Sequence, residues 1–205
     1  DQARLHVEFS RLLKARRMHR HFLPEPLSDK TVAYIAEAAL RAPSAGYTQG
    51  TRLLVLTEPP SLKRFWGAVA TPEWLAAPSR SGLDDAPCVI VPFQNRDAYV
   101  HRYGAPDKSY AGIGMPEDFP APFWTIDAAF AAMLVQLAAI DSGLGCLFFG
   151  LPMGTAALRA AFGVPSQLDP IGAIAIGRPS SGATSPSTQR RPRLPSASII
   201  AYNSF

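Results

Sequence analysis

Arg16-Arg17-Met18-His19-Arg20-His21-Phe22 is the stretch on which the reading of this chain turns. Three guanidinium groups crowd into it, just past a run of helical spacing. It leads into Phe22-Leu23-Pro24-Glu25-Pro26, which the prolines hold in extended backbone. Further on comes Ala42-Pro43-Ser44-Ala45-Gly46-Tyr47-Thr48-Gln49, a small-residue turn that closes a helix. A phosphate monoester carries roughly −1.5 to −2 charge at neutral pH, and guanidinium forks grip such an anion in bidentate fashion. The two stretches read as halves of an anion cradle. Taken on composition alone, the arginines fit equally well as a solvated face at a helix end, where cations meet the negative end of the dipole. The turn alone is a helix stop.

Around these stretches the periodicity alternates between helix and strand. Leu5, Phe9, Leu12 and Leu13 have helical spacing over Leu5 to Lys14. Ser28 is a good N-cap for a helix whose apolar face carries Val32, Ile35, Ala36, Ala39 and Leu40, and which Pro43 ends. Strands are predicted at Arg52 to Thr57, Cys88 to Phe93, Cys146 to Phe149 and Ile171 to Gly177, with a last short one at Ser198 to Tyr202. Helices are predicted at Leu62 to Val69, Trp124 to Gly143 (with Gly143 as C-cap) and Thr155 to Phe162. Between Arg96 and Pro122 the chain reads as irregular, and Pro179 to Pro195 as a Pro/Ser/Arg loop. Strict βαβ alternation is missing, as is a Gly-rich dinucleotide fingerprint after a strand.

Length and composition bound the possibilities. At 205 residues, 47% hydrophobic and 18% charged, the chain fits one globular domain over residues 1–205. The net charge of +4 is a mild excess, and no helix-turn-helix, zinc finger or RNA-binding signature accompanies it, so no nucleic-acid partner is expected. Cys88 and Cys146 lie in apolar runs without metal-ligand spacing and read as buried free thiols. The four histidines likewise lack zinc spacing, so no metal is expected. The apolar run from Asp127 to Asp141 falls short of a spanning helix of roughly 20 residues and reads as a buried core helix, with no membrane partner. With no targeting signal recognisable, the expected location is the cytoplasm.

The arginine stretch resembles the start of the nitroreductase-like family of FMN-dependent oxidoreductases, where an Arg-Arg-Ser-x-Arg-x-Phe type segment holds the FMN phosphate and ribityl chain. Carried over, Arg16 and Arg20 would bind phosphate, and Arg17 would approach the ring or ribityl hydroxyls and steady the negative charge of the reduced ring. Met18 replaces the family's serine and can offer only its backbone. The Ala42 to Gln49 turn resembles the family pattern Ala-Pro-Ser-x-x-Asn-x-Gln-Pro-Trp, so Pro43, Ser44 and Ala45 would lie against the ring, in many members from the opposite subunit. Tyr47 replaces the asparagine, and Gly50-Thr51 replaces Pro-Trp. Asp127 and Ser142-Gly143-Leu144-Gly145 match the family's central packing helix, to which no catalytic role is assigned. Phe149, Gly150 and Leu151 match the segment whose backbone faces flavin N5, Gly150 permitting close approach. Arg191 and Arg193 fit an Arg/Lys-x-Arg-x-Pro tail that closes the phosphate site, with Arg190 one residue of slip away.

The resemblance implies an α+β fold: a mostly antiparallel sheet flanked by helices, in a two-fold homodimer with an exchanged C-terminal arm at about 178–205 and a variable lid at about 74–123. It implies that FMN carries the chemistry, with no catalytic side chain of the protein's own. NADH or NADPH would reduce it, and a flat electrophilic acceptor such as a nitroaromatic or quinone would reoxidise it by a ping-pong route. Tyr99, Tyr103, Tyr110, Phe119 and Phe123 suit either stacking on a planar substrate or packing within the lid. Three alternatives within the same fold stay open: oxygen-dependent flavin cleavage, product dehydrogenation, and flavin storage without turnover.

Overall fold

A computed structural model describes residues 9–181 and 191–204. Four strands form the main sheet: β1 (Arg52–Leu56), β2 (Cys88–Gln94), β3 (Gly145–Phe149) and β5 (Ala173–Gly177), in the order β1-β2-β5-β3. A two-residue strand, β4 (Asp169–Pro170), pairs with the end of β2. All these pairings are antiparallel, as expected. The strands are near-continuous apolar runs because helices cover both faces, so residues of either parity must be apolar. Val89, Val91, Leu147, Phe149, Ala173 and Ala175 point into one core with Phe65, Trp66 and Leu158. Their alternate neighbours Cys88, Ile90, Cys146, Ile174 and Ile176 point into the other, with Ile35, Val135 and Ala139. The first core is roofed by α3 (Pro59–Val69) and α7 (Ala156–Phe162), the second by α2 (Asp29–Glu37) and α6 (Phe123–Asp141).

Local signals place most boundaries. Ser28 caps α2, its Oγ accepting the Thr31 N–H at 3.2 Å. Past Glu37 this helix tightens into a 3₁₀ turn over Ala38–Arg41, which rotates later residues off the 3.6-residue phase. Leu40, expected on the apolar face, is for that reason 80% exposed. Ser142 rather than Gly143 caps α6, and Gly143 follows at φ 75°. α6 is long and apolar enough to cross a membrane by length and composition. One side of it packs on the sheet, while Phe130 and Met133 on another are exposed.

Two of the expected elements are corrected as well. Within the stretch read as irregular, Arg96–Tyr103 forms helix α5, capped by the Asn95 side chain accepting the Ala98 N–H at 3.1 Å. Its sequence is polar and weakly periodic, so it hides from apolar patterning; only the Asn95 cap with Asp97 in the first turn announces it. The last strand at Ser198 to Tyr202 does not form: Ser196–Ser198 is a 3₁₀ turn, and residues 191–204 are exposed with no sheet partner among the described residues. A four-residue helix, α4 (Pro72–Leu75), was also not foreseen. Helix α1 covers Phe9–Ala15, and Leu5 lies outside the described residues, as does Arg190. The 74–123 region contains β2, so its surface portions are the stretches on either side of that strand. Cys88 and Cys146 are buried free thiols, as read from the sequence.

Candidate functional site

The arginine segment docks as an extra edge on the sheet. Met18 makes a parallel bridge to Cys146 in β3, with the His19 N–H donating to the Cys146 carbonyl at 3.0 Å. Phe22 bridges Pro179, Leu23 N–H donates to Arg178 O at 2.9 Å, and Ser180 N–H donates to His21 O at 3.1 Å. Gly145 makes this docking possible. A Cβ there would stand 2.8 Å from His19 Cγ and 2.8 Å from Pro179 Cγ, closer than carbon atoms pack. The Leu144-Gly145 dipeptide of the sequence motif is therefore a seat for the arginine segment.

So held, Arg16 and Arg20 are half-buried and Arg17 is exposed. Among the described residues none of the three forms an ion pair; the ion pairs present involve Arg96, Arg102, Arg159 and Arg178. Their field reaches their neighbours. Burial, reinforced by Arg17, lowers the His19 pKa below its ordinary value. Burial pushes the Cys146 thiol up to about 11, with Arg16 pulling against it. Met18 bridges Cys146 through its backbone, and its side chain is exposed.

The second stretch is a rigid turn. Tyr47 N–H donates to Ser44 O at 2.9 Å, and Gln49 N–H donates to Ser44 Oγ at 3.0 Å. Ala45 N–H donates to Asp127 Oδ2 at 2.8 Å, and Arg102 Nε donates to the Gly46 carbonyl at 2.9 Å. Gly46 at φ 61° meets a steric demand too, since a Cβ there would lie 2.9 Å from the Tyr103 ring. Tyr47 and Gln49 adopt φ 54° and 53°, a left-handed conformation that bulky residues seldom take. Asparagine tolerates that conformation better than tyrosine. The Tyr47 ring is 76% exposed.

The Cys146 thiol donates to the Gln136 carbonyl of α6, so the arginine segment lies level with Gln136, while the turn is tied to Asp127. Nine residues of helix separate those levels (136 − 127), about 14 Å at 1.5 Å per residue.

Not every predicted residue offers its side chain. Phe149 is in the core, stacked on Trp66 with ring centroids 5.5 Å apart, and Leu151 packs against the same core. Only backbone is available from those two. Gly150 between them is exposed, and a Cβ there would meet nothing within 4 Å. Arg191 and Arg193 are exposed on the C-terminal segment, without an ion pair among the described residues. The backbone hydrogen bonds that segment donates among them are internal, so nothing there ties it to Arg16–Arg20. Of the lid aromatics, Tyr99 and Phe119 are buried, and Tyr103, Phe119, Phe123 and Trp124 form an edge-to-face cluster. Tyr110, at 81% exposure, is the one of the five that faces fully outward. Sequence reasoning missed Tyr99, Arg102 and Asp127 as supports of the turn. Their signal was weak: an aspartate interrupting an otherwise apolar helix.

Comparison with known proteins gives one family. The profile of the nitroreductase family matches residues 13–178. An NADPH-dependent oxidoreductase of Staphylococcus epidermidis is 26% identical over 195 residues, which span 95% of this chain and 72% of that protein. Among solved structures, nitroreductase CinD of Lactococcus lactis in complex with nicotinic acid superposes with a TM-score of 0.76 at 19% identity, over 96% of this chain and all of that one. A nitroreductase-type protein of Exiguobacterium sibiricum, solved in complex with FMN, gives 0.73 at 21% identity over 96% and 98% of the two chains. These structures share the fold.

Proposed function

The chain belongs to the nitroreductase family, and on that footing we propose that it is an FMN-dependent NAD(P)H oxidoreductase acting on flat electrophilic acceptors such as nitroaromatics or quinones. The observation that carries this reading is the set of three arginines, without carboxylate partners among the described residues, in the segment that bridges β3 at Met18. Guanidinium groups without carboxylate partners are free to offer their forks to an anion of charge near −2. The donor set fits a phosphate. The open face of Gly150 and the small-residue turn fit a flat ring brought close to backbone.

In this reading Arg16 and Arg20 hold the phosphate and Arg17 lies toward the ribityl chain or the ring's carbonyl edge. Met18, Phe149, Gly150 and Leu151 contribute backbone, while Pro43, Ser44, Ala45 and Tyr47 supply the ring's other wall. Bound FMN would supply the hydride chemistry, with reduced nicotinamide and acceptor using the site in turn. The protein's part is to bind, orient and exclude water.

A two-fold homodimer completes the proposal. Leu40, Phe130 and Met133 leave apolar surface exposed on the α2–α6 side. A groove of about 510 Å³ there is lined by Leu12, Leu40, Leu134 and Leu137 together with the charged Glu37, Arg41 and Asp141. The C-terminal segment exposes Leu194, Ile199, Ile200 and Tyr202, surface that a partner would cover. In such a dimer Arg191 and Arg193 would reach the phosphate site from the exchanged arm, and the protein would work in the cytoplasm, where reduced nicotinamide is plentiful.

The test is direct. Purified protein is scanned for flavin absorbance, then titrated anaerobically with NADH or NADPH and with a quinone. Bleaching by the nicotinamide and recovery with quinone is the expected result. A yellow protein that NAD(P)H leaves unreduced would point to storage, and loss of the flavin spectrum in oxygen to cleavage. The pair Arg16→Ala and Arg20→Ala, made together, should lose FMN and keep riboflavin; a variant with full FMN occupancy would overturn the phosphate assignment.

A further inference from the structure

We propose that Asp127 is the positioning residue of the ring-contact turn: its Oδ2 joins the Ala45 backbone to Tyr99 and so sets the turn's geometry from the buried side. The inference rests on the reading that the Ala45 to Tyr47 turn lies against a flavin ring. Asp127 is only 4% exposed and sits near the N-terminal end of α6. One carboxylate oxygen, Oδ2, accepts both the Ala45 N–H at 2.8 Å and the Tyr99 O–H at 2.7 Å. No cation pairs with this carboxylate among the described residues. A buried carboxylate facing neutral donors costs free energy to keep, so a purely space-filling role would be better served by an apolar residue.

The donors it joins come from different elements. Tyr99 is a fully buried residue of α5, and its ring lies so close to Gly50 that a Cβ there would stand 2.6 Å away. From the same helix Arg102 holds the Gly46 carbonyl at 2.9 Å, its terminal nitrogens fixed on Asp107 at 2.8 and 2.7 Å. The turn is thus gripped at the Ala45 N–H by α6 and at the Gly46 C=O by α5. That grip holds Tyr47 and Gln49 in a backbone conformation they would otherwise leave. It also ties the turn to the helix that begins the surface stretch read as a substrate-side lid.

The experiment combines amide hydrogen exchange over residues 44–49 with riboflavin and FMN affinities measured by flavin fluorescence. In Asp127→Ala, exchange at the Ala45 and Tyr47 amides is expected to rise at least tenfold, while β2 and β5 amides keep their protection. Riboflavin and FMN affinities should fall by the same factor, about tenfold, because the ring contact is lost and the phosphate contact is not. Asp127→Asn, whose amide oxygen can accept both donors, should restore both readouts. Unchanged protection of the turn, selective loss of FMN, or Asp127→Asn behaving like Asp127→Ala would each overturn the proposal. If Asp127→Ala does not fold, Tyr99→Phe serves: exchange at Ala45 should quicken several-fold, and an unchanged rate refutes the clamp. A wild-type protein that binds neither flavin would refute the flavin reading instead, and hydrogen exchange alone would then decide the clamp.

Discussion

Gly145→Ala tests most directly how the arginine segment is seated. The new methyl would stand 2.8 Å from His19 Cγ and Pro179 Cγ and 2.9 Å from His19 Cβ. Carbon atoms pack at about 3.5–4.0 Å, so the segment must retreat by roughly 1 Å. The His19 N–H to Cys146 O bond, 3.0 Å long, would then stretch to about 4 Å and be lost. Overpacking costs about 1–3 kcal/mol and the lost hydrogen bond about 1 kcal/mol more, together about 2–4 kcal/mol. For a chain of this size each kcal/mol lowers Tm by about 2–4 °C, so a fall on the order of 10 °C is expected in a thermal melt. Arg16 and Arg20 move with the segment, so FMN affinity should drop by about tenfold or more, the equivalent of one charge-assisted hydrogen bond, while riboflavin affinity changes less. Fluorescence titration with the two flavins measures that ratio. A variant with wild-type Tm and an unchanged FMN-to-riboflavin ratio would refute the claim that Gly145 seats the phosphate-binding segment.

Tyr47→Asn should stabilise the protein by roughly 1 kcal/mol in urea unfolding, because asparagine tolerates the left-handed backbone and the exposed tyrosine ring gives up little packing; a destabilised variant would show that the ring has an unrecognised partner. Gly150→Ala should leave Tm within about 1 °C, since nothing lies within 4 Å of the added methyl, yet weaken flavin binding several-fold by holding the ring off the backbone; equal flavin affinity would exclude close approach there. His19 governs a pH effect. Its folded pKa is depressed by burial and Arg17, so between its folded and unfolded values the unfolded chain binds more protons, and the stability it contributes is complete above its ordinary 6.5 and declines as pH falls below that. Urea midpoints between pH 7.5 and 5 should show a slope that His19→Gln flattens, and an identical slope in the variant would assign the effect elsewhere.

Local chemistry written in adjacent residues was enough for the Ser28 cap, the Pro43 stop and the apolar strands, because each depends on the backbone preferences and burial of a short window, whereas the antiparallel α+β class came from the family resemblance. The same holds for the arginine cluster and the small-residue turn as candidate contacts, since charge and turn chemistry are local. Folding had to settle the rest, because it depends on residues far apart in the chain. Helix α5 lacks an apolar stripe and gains its place from Tyr99 meeting Asp127 across 28 positions. Gly145 becomes indispensable only where His19 and Pro179 converge on it. Phe149 turns inward because Trp66 offers a stacking face, and Leu40 outward because the helix tightens behind it. Pattern reveals what a residue is able to do in its own window; which neighbour it meets is a property of the packed chain alone.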